Sequence, residues 1–310
     1  MARSGGVVIK KKVAAIIITY NPDLTILRES YTSLYKQVDK IILIDNNSTN
    51  YQELKKLFEK KEKIKIVPLS DNIGLAAAQN LGLNLAIKNN YTYAILFDQD
   101  SVLQDNGINS FFFEFEKLVS EEKLNIVAIG PSFFDEKTGR RFRPTKFIGP
   151  FLYPFRKITT KNPLTEVDFL IASGCFIKLE CIKSAGMMTE SLFIDYIDVE
   201  WSYRMRSYGY KLYIHNDIHM SHLVGESRVN LGLKTISLHG PLRRYYLFRN
   251  YISILKVRYI PLGYKIREGF FNIGRFLVSM IITKNRKTLI LYTIKAIKDG
   301  INNEMGKYKG

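Results

Sequence analysis

Apolar runs that alternate with amphipathic helical stretches constrain the fold of this chain most strongly. The runs cover residues 13–19, 40–45, 64–69 and 91–97, with a fifth at 124–129. Continuous apolarity is what a parallel strand buried on both faces requires. The intervening stretches place apolar residues at helical spacing. This alternation predicts βαβ units and therefore an α/β fold with a Rossmann-like, mostly parallel central sheet flanked by helices.

Polar residues follow each of the first four runs. In an open α/β sheet, ligands bind at the carboxyl ends of the parallel strands, so these residues predict a nucleotide site. Each cluster taken alone is also typical of a turn or a helix cap. The clusters after the first three runs are Thr19, Tyr20 and Asn21; Asp45 and Asn47; and Asn72 and Gly74.

The fourth run ends in two carboxylates one residue apart, Asp98 and Asp100, with Gln99 between them. Carboxylate oxygens suit Mg²⁺ or Mn²⁺ and the phosphates that such a metal holds, although a simple turn would use the same residues. The chain has neither a G-x-G-x-x-G nor a Walker loop, so we expect a metal to neutralise the diphosphate.

A second acidic group lies at Asp195, Asp198 and Glu200. One of these carboxylates could act as a general base opposite a nucleotide, or the group could form the first turn of a helix, where the macrodipole favours acids. His219 and His222 follow, and either imidazole could complete a metal site or serve as a structural hydrogen-bonding residue. Proline-rich residues 131–165 predict a long excursion that is either a lid over the sheet or an irregular connection.

The formal net charge of +17 is unevenly distributed. Residues 241–310 carry 15 Lys and Arg against three acidic residues, a net +12, interleaved with apolar residues. This pattern is typical of basic amphipathic helices on an anionic membrane surface. The two cysteines, Cys175 and Cys181, indicate neither a disulfide framework nor a zinc site, and no secretion signal precedes the first run. We therefore expect a cytoplasmic protein at the inner face of the membrane.

Two other functions are compatible with a basic chain that has a nucleotide site. A sugar nucleotidyltransferase should carry an early glycine- and lysine-rich phosphate loop, which is not visible. A nucleic-acid-binding protein would explain the charge and the 19 tyrosines. However, the cations lie among apolar residues and no nucleic-acid motif occurs, so we expect no nucleic acid as partner.

In this order along nearly the whole chain, the motifs resemble those of the family 2 glycosyltransferases of the GT-A fold. Within that family they are similar to bacterial rhamnosyltransferases of O-antigen, capsule and cell-wall polysaccharide synthesis. The motifs are Thr19-Tyr20-Asn21, Asp45-Asn46-Asn47-Ser48, Asn72 and Gly74 through Asn80, Asp98-Gln99-Asp100-Ser101, Ser173-Gly174, Asp195 through Trp201, His222 with Gly225, and Arg244-Tyr245-Tyr246 with Arg249-Asn250.

The resemblance implies a role for each site residue. Asp198 would be the catalytic base, with Asp195 as the second choice, because this chain has Ile197 where many relatives have Glu. Asp100 and His222 would hold Mg²⁺ or Mn²⁺. Acceptor contacts would come from Gly174, Glu200 and Trp201. Contacts with the nucleotide sugar would come from Thr19, Tyr20, Asn21, Asp45, Asn47, Asn72, Gly74, Asn80, Asp98, Gln99 and Asp100.

The implied reaction is an inverting transfer of L-rhamnose from dTDP-β-L-rhamnose to a lipid-linked glycan, with a UDP-linked donor as the alternative. Residues 1–130 would form the nucleotide-sugar-binding half and 131–240 the acceptor and catalytic half of one GT-A domain. Residues 241–310 would form a basic helical region in contact with the membrane surface.

Overall fold

The computed structural model describes residues 12–121, 123–135, 140–141, 145–148, 151–154, 163–222, 228–230, 235–237, 240–283 and 285–310. In the first part strands and helices alternate, as the apolar runs predict. These elements are β1 (Val13–Thr19), α1 (Leu24–Tyr35), β2 (Lys40–Asp45), α2 (Tyr51–Phe58), β3 (Ile64–Pro68), α3 (Leu75–Lys88) and β4 (Tyr93–Asp98).

The second part is less regular and contains short strands. Its elements are β5 (Ser101–Leu103), α4 (Gly107–Ser120), β6 (Ile126–Asp135), β7 (Arg140–Arg141), β8 (Thr145–Ile148), β9 (Phe151–Pro154), β10 (Leu164–Val167), β11 (Phe176–Lys178), α5 (Leu179–Ala185), a 3₁₀ turn (Glu190–Leu192), α6 (Ile197–Ser207), β12 (Lys211–His222), β13 (Arg228–Asn230) and β14 (Thr235–Ser237).

A single large sheet has the strand order β10-β12-β6-β11-β4-β1-β2-β3, with β5 paired to β12 and β7 paired to β6. Strands β4, β1, β2 and β3 are parallel neighbours. Strand β11 runs antiparallel to both β4 and β6, while β12 is parallel to β6. The predicted mostly parallel central sheet with flanking helices is therefore confirmed.

Both faces of the sheet are covered, which explains why the strands are continuously apolar rather than alternating. In β1, Ala15 and Ile17 pack in one core cluster, and Ala14 and Ile16 pack in another on the opposite face. Helix α3 approaches the second face closely, since a Cβ at Gly82 would lie 2.4 Å from Cγ2 of Ile16. The parallel half is thus fixed by packing on two sides, which holds its strand ends in place.

Three helices complete the chain: α7 (Pro241–Leu255), α8 (Leu262–Ile282) and α9 (Arg286–Asn302). Helix α7 packs against both α8 and α9 and buries Tyr245, Tyr246 and Arg249. Within the described ranges, no helix has both the length and the apolarity needed to cross a membrane.

Several element boundaries differ from those predicted. Strand β3 ends at Pro68, β4 begins at Tyr93, and β6 begins at Ile126 and runs ten residues. Strands β10 and β11 are separated by a segment that contains a turn at Gly174. Strand β12 runs for 12 residues and pairs with β6, β10 and β5. Of the 35 residues of the proline-rich excursion, 17 lie outside the described ranges.

Candidate active site

The carboxyl ends of β1, β2 and β4 meet at one edge of the sheet. The parallel register sets Thr19 beside Asp45 and Ile18 beside Asp98. Strand ends aligned in this way bring the polar residues that follow them together. We call this region, formed by residues 19–21, 45–49, 71–74 and 98–101, the donor edge.

Asp45 is the most buried acid of the donor edge, with 1% of its surface exposed. Its carboxylate accepts hydrogen bonds from Thr19 Oγ1 at 2.9 Å and from the Ser48 N–H at 3.0 Å and Oγ at 2.5 Å. These three donors satisfy much of the charge that burial would otherwise leave uncompensated. Asp45 therefore shapes the loop after β2.

The loops after β1, β2 and β4 are tied together by side-chain hydrogen bonds. The Tyr20 N–H donates to Gln99 Oε1 at 2.9 Å, and the Asn21 N–H donates to Ser48 Oγ at 2.9 Å. The ring of Tyr20 is 50% exposed, and Asn47 is also exposed, at a positive φ of 68°. The donor edge thus has a fixed backbone beneath side chains that solvent can reach.

The loop after β3 joins the donor edge to the loop that carries Asp195. Asn72 Oδ1 accepts from Asn46 Nδ2 at 3.1 Å and from the Gly74 N–H at 3.0 Å. Gly74 has a φ of +89°, and a Cβ there would lie 2.5 Å from the Phe193 ring. Glycine is required at this position for both reasons. The Leu75 N–H, at the start of α3, donates to the Phe193 carbonyl at 2.7 Å.

Asp98 and Asp100 are half-buried in the turn between β4 and β5. Ser173 supports this turn: its Oγ accepts from the Asp98 N–H at 3.2 Å and lies 2.9 Å from Ser101 Oγ. The Cα of His222, at the end of β12, is the register partner of Ser101. The backbone of His222 therefore runs beside the two acids, while its side chain lies outside the described part of the structure.

The chemistry of the two acids fits a hard divalent cation such as Mg²⁺ or Mn²⁺, since both offer carboxylate oxygens from one turn. Across the residues that the structure describes, no three His, Cys, Asp or Glu side chains form a ready-made metal cluster. Of the two predicted metal ligands, Asp100 lies at the donor edge, and His222 is described only by its backbone.

Asp198 lies in the first turn of α6 and is half-buried. Burial raises the pKa of its carboxyl to about 6; the hydrogen bond from the Val199 N–H opposes this shift, and the negative charge of Asp195 adds to it. A carboxylate with a pKa near 6 remains ionised at neutral pH and is a stronger base than an ordinary Asp. This is the protonation behaviour that a general base requires.

Asp195 has a different environment, because it forms an ion pair with Arg243 at 3.2 Å between Oδ1 and Nη2. A carboxylate engaged by a guanidinium is less available to accept a proton. Of the two acids proposed as base, Asp198 is therefore the better suited. The negative charge of Asp195 helps to raise the pKa of Asp198.

The donor edge and the region around Asp198 are connected by two adjacent residues. Ser173 contacts the turn that carries Asp98 and Asp100, and a backbone hydrogen bond from Ala172 reaches Asp198. The turn that follows places Gly174 at a φ of +78°, where a Cβ would lie 2.6 Å from Pro131. The absence of a side chain at Gly174 thus permits this turn to pack closely against Pro131.

Residues 191–196, which we call the base loop, contain an unusual backbone. Phe193, Asp195 and Tyr196 all have positive φ values, between 62° and 66°. Each such conformation costs free energy in a residue other than glycine and persists only when the surroundings enforce it. The base loop therefore needs external support.

That support comes from α7. Asn250, fully buried, donates from Nδ2 to the carbonyls of Leu192 at 2.9 Å, Ile194 at 2.7 Å and Asp195 at 3.1 Å. Arg249, also fully buried, donates from Nη2 to the Leu192 carbonyl at 3.1 Å and from Nη1 to the Gly306 carbonyl at 2.6 Å. We call this pair the α7 brace. Its two residues end the motif Arg244-Tyr245-Tyr246 with Arg249-Asn250, for which the resemblance implies no contact with donor, acceptor or metal.

Three predicted contact residues have other roles in the structure. Asn80 is buried and exchanges hydrogen bonds with the backbone of Met188, so its amide is not directed at a nucleotide. Glu200 is buried and accepts from Arg204 Nε at 2.8 Å, Thr189 Oγ1 at 2.6 Å and the Tyr259 hydroxyl. Trp201 lies in the core with 1% of its surface exposed. All three side chains thus have structural partners or packing, and the predicted nucleotide contact of Asn80 and acceptor contacts of Glu200 and Trp201 stay predictions.

Sequence reasoning missed Ser173, Asn46 and the α7 brace as site residues. Ser173 and Asn46 lie within motifs that carry the family resemblance. They are next to Gly174 and Asp45, for which the resemblance implies contacts. The brace could have been suspected from Arg249 and Asn250, because adjacent polar residues within an apolar helix are expensive to bury without partners.

Nearly the whole chain is similar to a known protein. Residues 14–184 match the family described as Glycosyl transferase family 2. The chain is 32% identical over 294 residues to the dTDP-rhamnosyl transferase RfbF of Shigella flexneri, covering 95% of this chain and 97% of that protein.

Two solved structures share the fold. GalNAc-T7 with UDP, GalNAc and Mn²⁺ aligns with a TM-score of 0.60 at 15% identity, over 94% of this chain and 56% of that one. S. aureus TarS 1-349 in complex with UDP-GlcNAc aligns with a TM-score of 0.54 at 16% identity, over 94% of this chain and 81% of that one. At these identities the likeness is one of fold alone.

Proposed function

Because the chain belongs to glycosyl transferase family 2 and has the GT-A fold, we propose that it transfers L-rhamnose from dTDP-β-L-rhamnose to a hydroxyl group of a lipid-linked polysaccharide acceptor. The observation that carries this proposal is the 32% identity to a dTDP-rhamnosyl transferase over nearly the full length of both chains. The donor edge and the Asp198 carboxylate supply the groups that such a transfer needs.

The donor edge would hold the nucleotide diphosphate sugar. The exposed ring of Tyr20 can stack on the base, while the loop ordered by Asp45 can meet the base or ribose hydroxyls. Asp100, with His222, would hold Mg²⁺ or Mn²⁺ next to the diphosphate, and Asp98 would contact the ribose and the diphosphate. A bound divalent cation neutralises the charge that the diphosphate gains as it leaves.

Asp198 would act as the general base in an inverting displacement. Its carboxylate accepts the proton of the acceptor hydroxyl while that oxygen forms a bond to the anomeric carbon of rhamnose. The bond from the anomeric carbon to the diphosphate oxygen breaks, and its electron pair leaves with dTDP. Attack in line with the leaving group requires base and diphosphate on opposite faces of the sugar. The shared contact through Ala172 and Ser173 supports a fixed spacing between the two regions.

The proposal is tested with a panel of sugar nucleotides on the purified full chain. Thermal shift with and without Mn²⁺ reports binding, and release of the nucleoside diphosphate reports slow hydrolysis of the donor. We expect dTDP-rhamnose to stabilise the protein most, and more strongly with Mn²⁺ than with EDTA. Greater stabilisation and faster hydrolysis with a UDP-linked sugar would contradict the proposed donor and leave the transferase class intact.

A further inference from the structure

The outer faces of α8 and α9 expose an unusual amount of apolar surface. Of the 19 large hydrophobic side chains that are exposed among the described residues, 12 lie on these two helices, so the surface is concentrated rather than scattered. We call them the outer stripes. They are Leu262, Ile266, Phe270, Ile273, Leu277, Ile281 and Ile282 on α8, and Ile290, Leu291, Ile294, Ile297 and Ile301 on α9.

The outer stripes follow the helical period. On α8, six of the seven exposed side chains recur at intervals of three or four residues from Leu262 to Ile281 and fall within roughly 100° of the helix circumference. On α9, Ile290, Ile294, Ile297 and Ile301 fall within roughly 60°. Residues 283–285 connect the two helices. Each helix thus presents one continuous apolar face to its surroundings, which in a soluble monomer normally marks an interaction site.

Charge is sorted between the inner and outer faces of these helices. The acids of α8 and α9, Glu268 and Asp299, are both buried. Glu268 pairs with Arg267 at 2.7 Å, and Asp299 accepts from the Tyr245 hydroxyl at 2.6 Å. The exposed charges on α9 are cationic: Arg286, Lys287 and Lys298 lie beside the stripe formed by Ile290 to Ile301.

This sorting distinguishes between possible occupants. Two copies of the chain meeting through the outer stripes would bring like charges together, because residues 241–310 carry a net +12. An anionic bilayer surface complements both features, since the apolar side chains can enter the headgroup and acyl boundary while the cations meet lipid phosphates. We propose that the outer stripes of α8 and α9 dock on the surface of a bilayer that contains anionic phospholipid.

The test is flotation of the full chain with vesicles of phosphatidylcholine alone or mixed with phosphatidylglycerol. We expect binding to the mixed vesicles that weakens with salt. Replacing the two most exposed apolar side chains, Phe270→Asn with Ile281→Asn (73% and 76% exposed), should lower partitioning at least about tenfold. The matched control replaces exposed aromatic side chains elsewhere, Phe113→Asn with Tyr208→Asn (65% and 58%), and should float normally.

A second pair of variants tests the charges. Lys287→Gln with Lys298→Gln should lower partitioning onto anionic vesicles at least fivefold. Lys55→Gln with Lys56→Gln, the same change in net charge on α2, should have little effect. Thermal melting and the dTDP thermal shift accompany each variant, so a folding defect or a failure of the proposed donor is separated from a loss of membrane contact.

Normal flotation of the Phe270 and Ile281 variant, or equal loss in the Phe113 and Tyr208 control, would overturn the proposal. So would equal binding to the two kinds of vesicle. Sedimentation of the protein without lipid adds a further outcome: a dimer that the Phe270 and Ile281 changes dissociate would assign the stripes to a second copy of the chain.

Discussion

The donor edge and the base loop obtain their order in opposite ways. The donor edge lies at the ends of parallel strands, and its hydrogen bonds join loops of neighbouring strands, such as Thr19 to Asp45. The base loop has three residues at positive φ and is held from outside the sheet by α7, through hydrogen bonds such as that from Asn250 to the Asp195 carbonyl. Binding of the donor should therefore survive changes that disable the base loop, and four variants test this separation.

The largest effect is expected for Asp198→Asn. An amide cannot accept the proton of the acceptor hydroxyl, so kcat should fall by about 10²–10⁴ while the Kd for dTDP stays within about twofold. Because the folded-state pKa of about 6 lies above the ordinary value of 3.8, the fold loses stability as the pH rises from about 4 to about 6, and the loss is complete above pH 6.

The free energy of unfolding of the Asn variant should therefore exceed that of the parent at pH 8 by on the order of 1 to 3 kcal/mol. This gain should disappear near pH 4. Calorimetry at the two pH values measures this difference. If Asp198→Asn transferred sugar at a near-normal rate while Asp195→Asn was inactive, the assignment of the base would be wrong.

Asp100→Asn tests the other region. Losing one carboxylate from the donor edge should weaken dTDP binding in Mn²⁺ about tenfold or more and leave binding in EDTA unchanged. Titration calorimetry with the metal and with EDTA gives both values. Asp105→Asn, a change of the same charge at an exposed position just beyond β5, serves as the control. Equal weakening in EDTA would show that Asp100 acts without a metal.

Asn250→Ala tests the brace. The side chain is buried and satisfies three carbonyls, so its loss should lower the free energy of unfolding by about 3 kcal/mol. With the base loop released, kcat should fall about tenfold or more while the Kd for dTDP changes little. Asn302→Ala, at an exposed position of α9, provides the matched control. A loss of dTDP affinity equal to the loss of kcat would refute the separation of the two regions.

The smallest effect is expected for Asp195→Asn, read from the pH profile of kcat/KM. The profile should have an acidic limb near pH 6, where Asp198 becomes protonated. The charge of Asp195 raises the pKa of Asp198, so removing that charge should move the limb to lower pH. Asp71→Asn, a charge removed from the donor edge, should leave the limb in place. A limb that moves to higher pH would contradict this coupling.

The sequence predicted the donor edge far better than the base loop. Continuous apolar runs followed by polar residues determine a parallel sheet and the edge where its strands end, and Asp45, Asp98 and Asp100 all lie there. Burial of Arg249 and Asn250 could be suspected from the sequence, but their partners could not, because a side chain that donates to carbonyls leaves no pattern in the residues that accept. The acceptor contacts of Glu200 and Trp201 follow from the family resemblance alone, and a motif does not reveal that packing directs both side chains inward. Residues 241–310 were expected to contact a membrane, and their internal role at the base loop was missed.

The position of the brace in the chain also determines when its contacts can form during synthesis. The ribosome makes the donor edge first, and the strands that form it are complete before the base loop appears. Asn250 follows Asp195 by 55 residues, and Gly306 follows Arg249 by 57 more. The contacts that hold the base loop cannot form until those later residues have left the exit tunnel. The four parallel strands that end at the donor edge are thus synthesised well before the contacts that hold the loop leading into Asp198 can form.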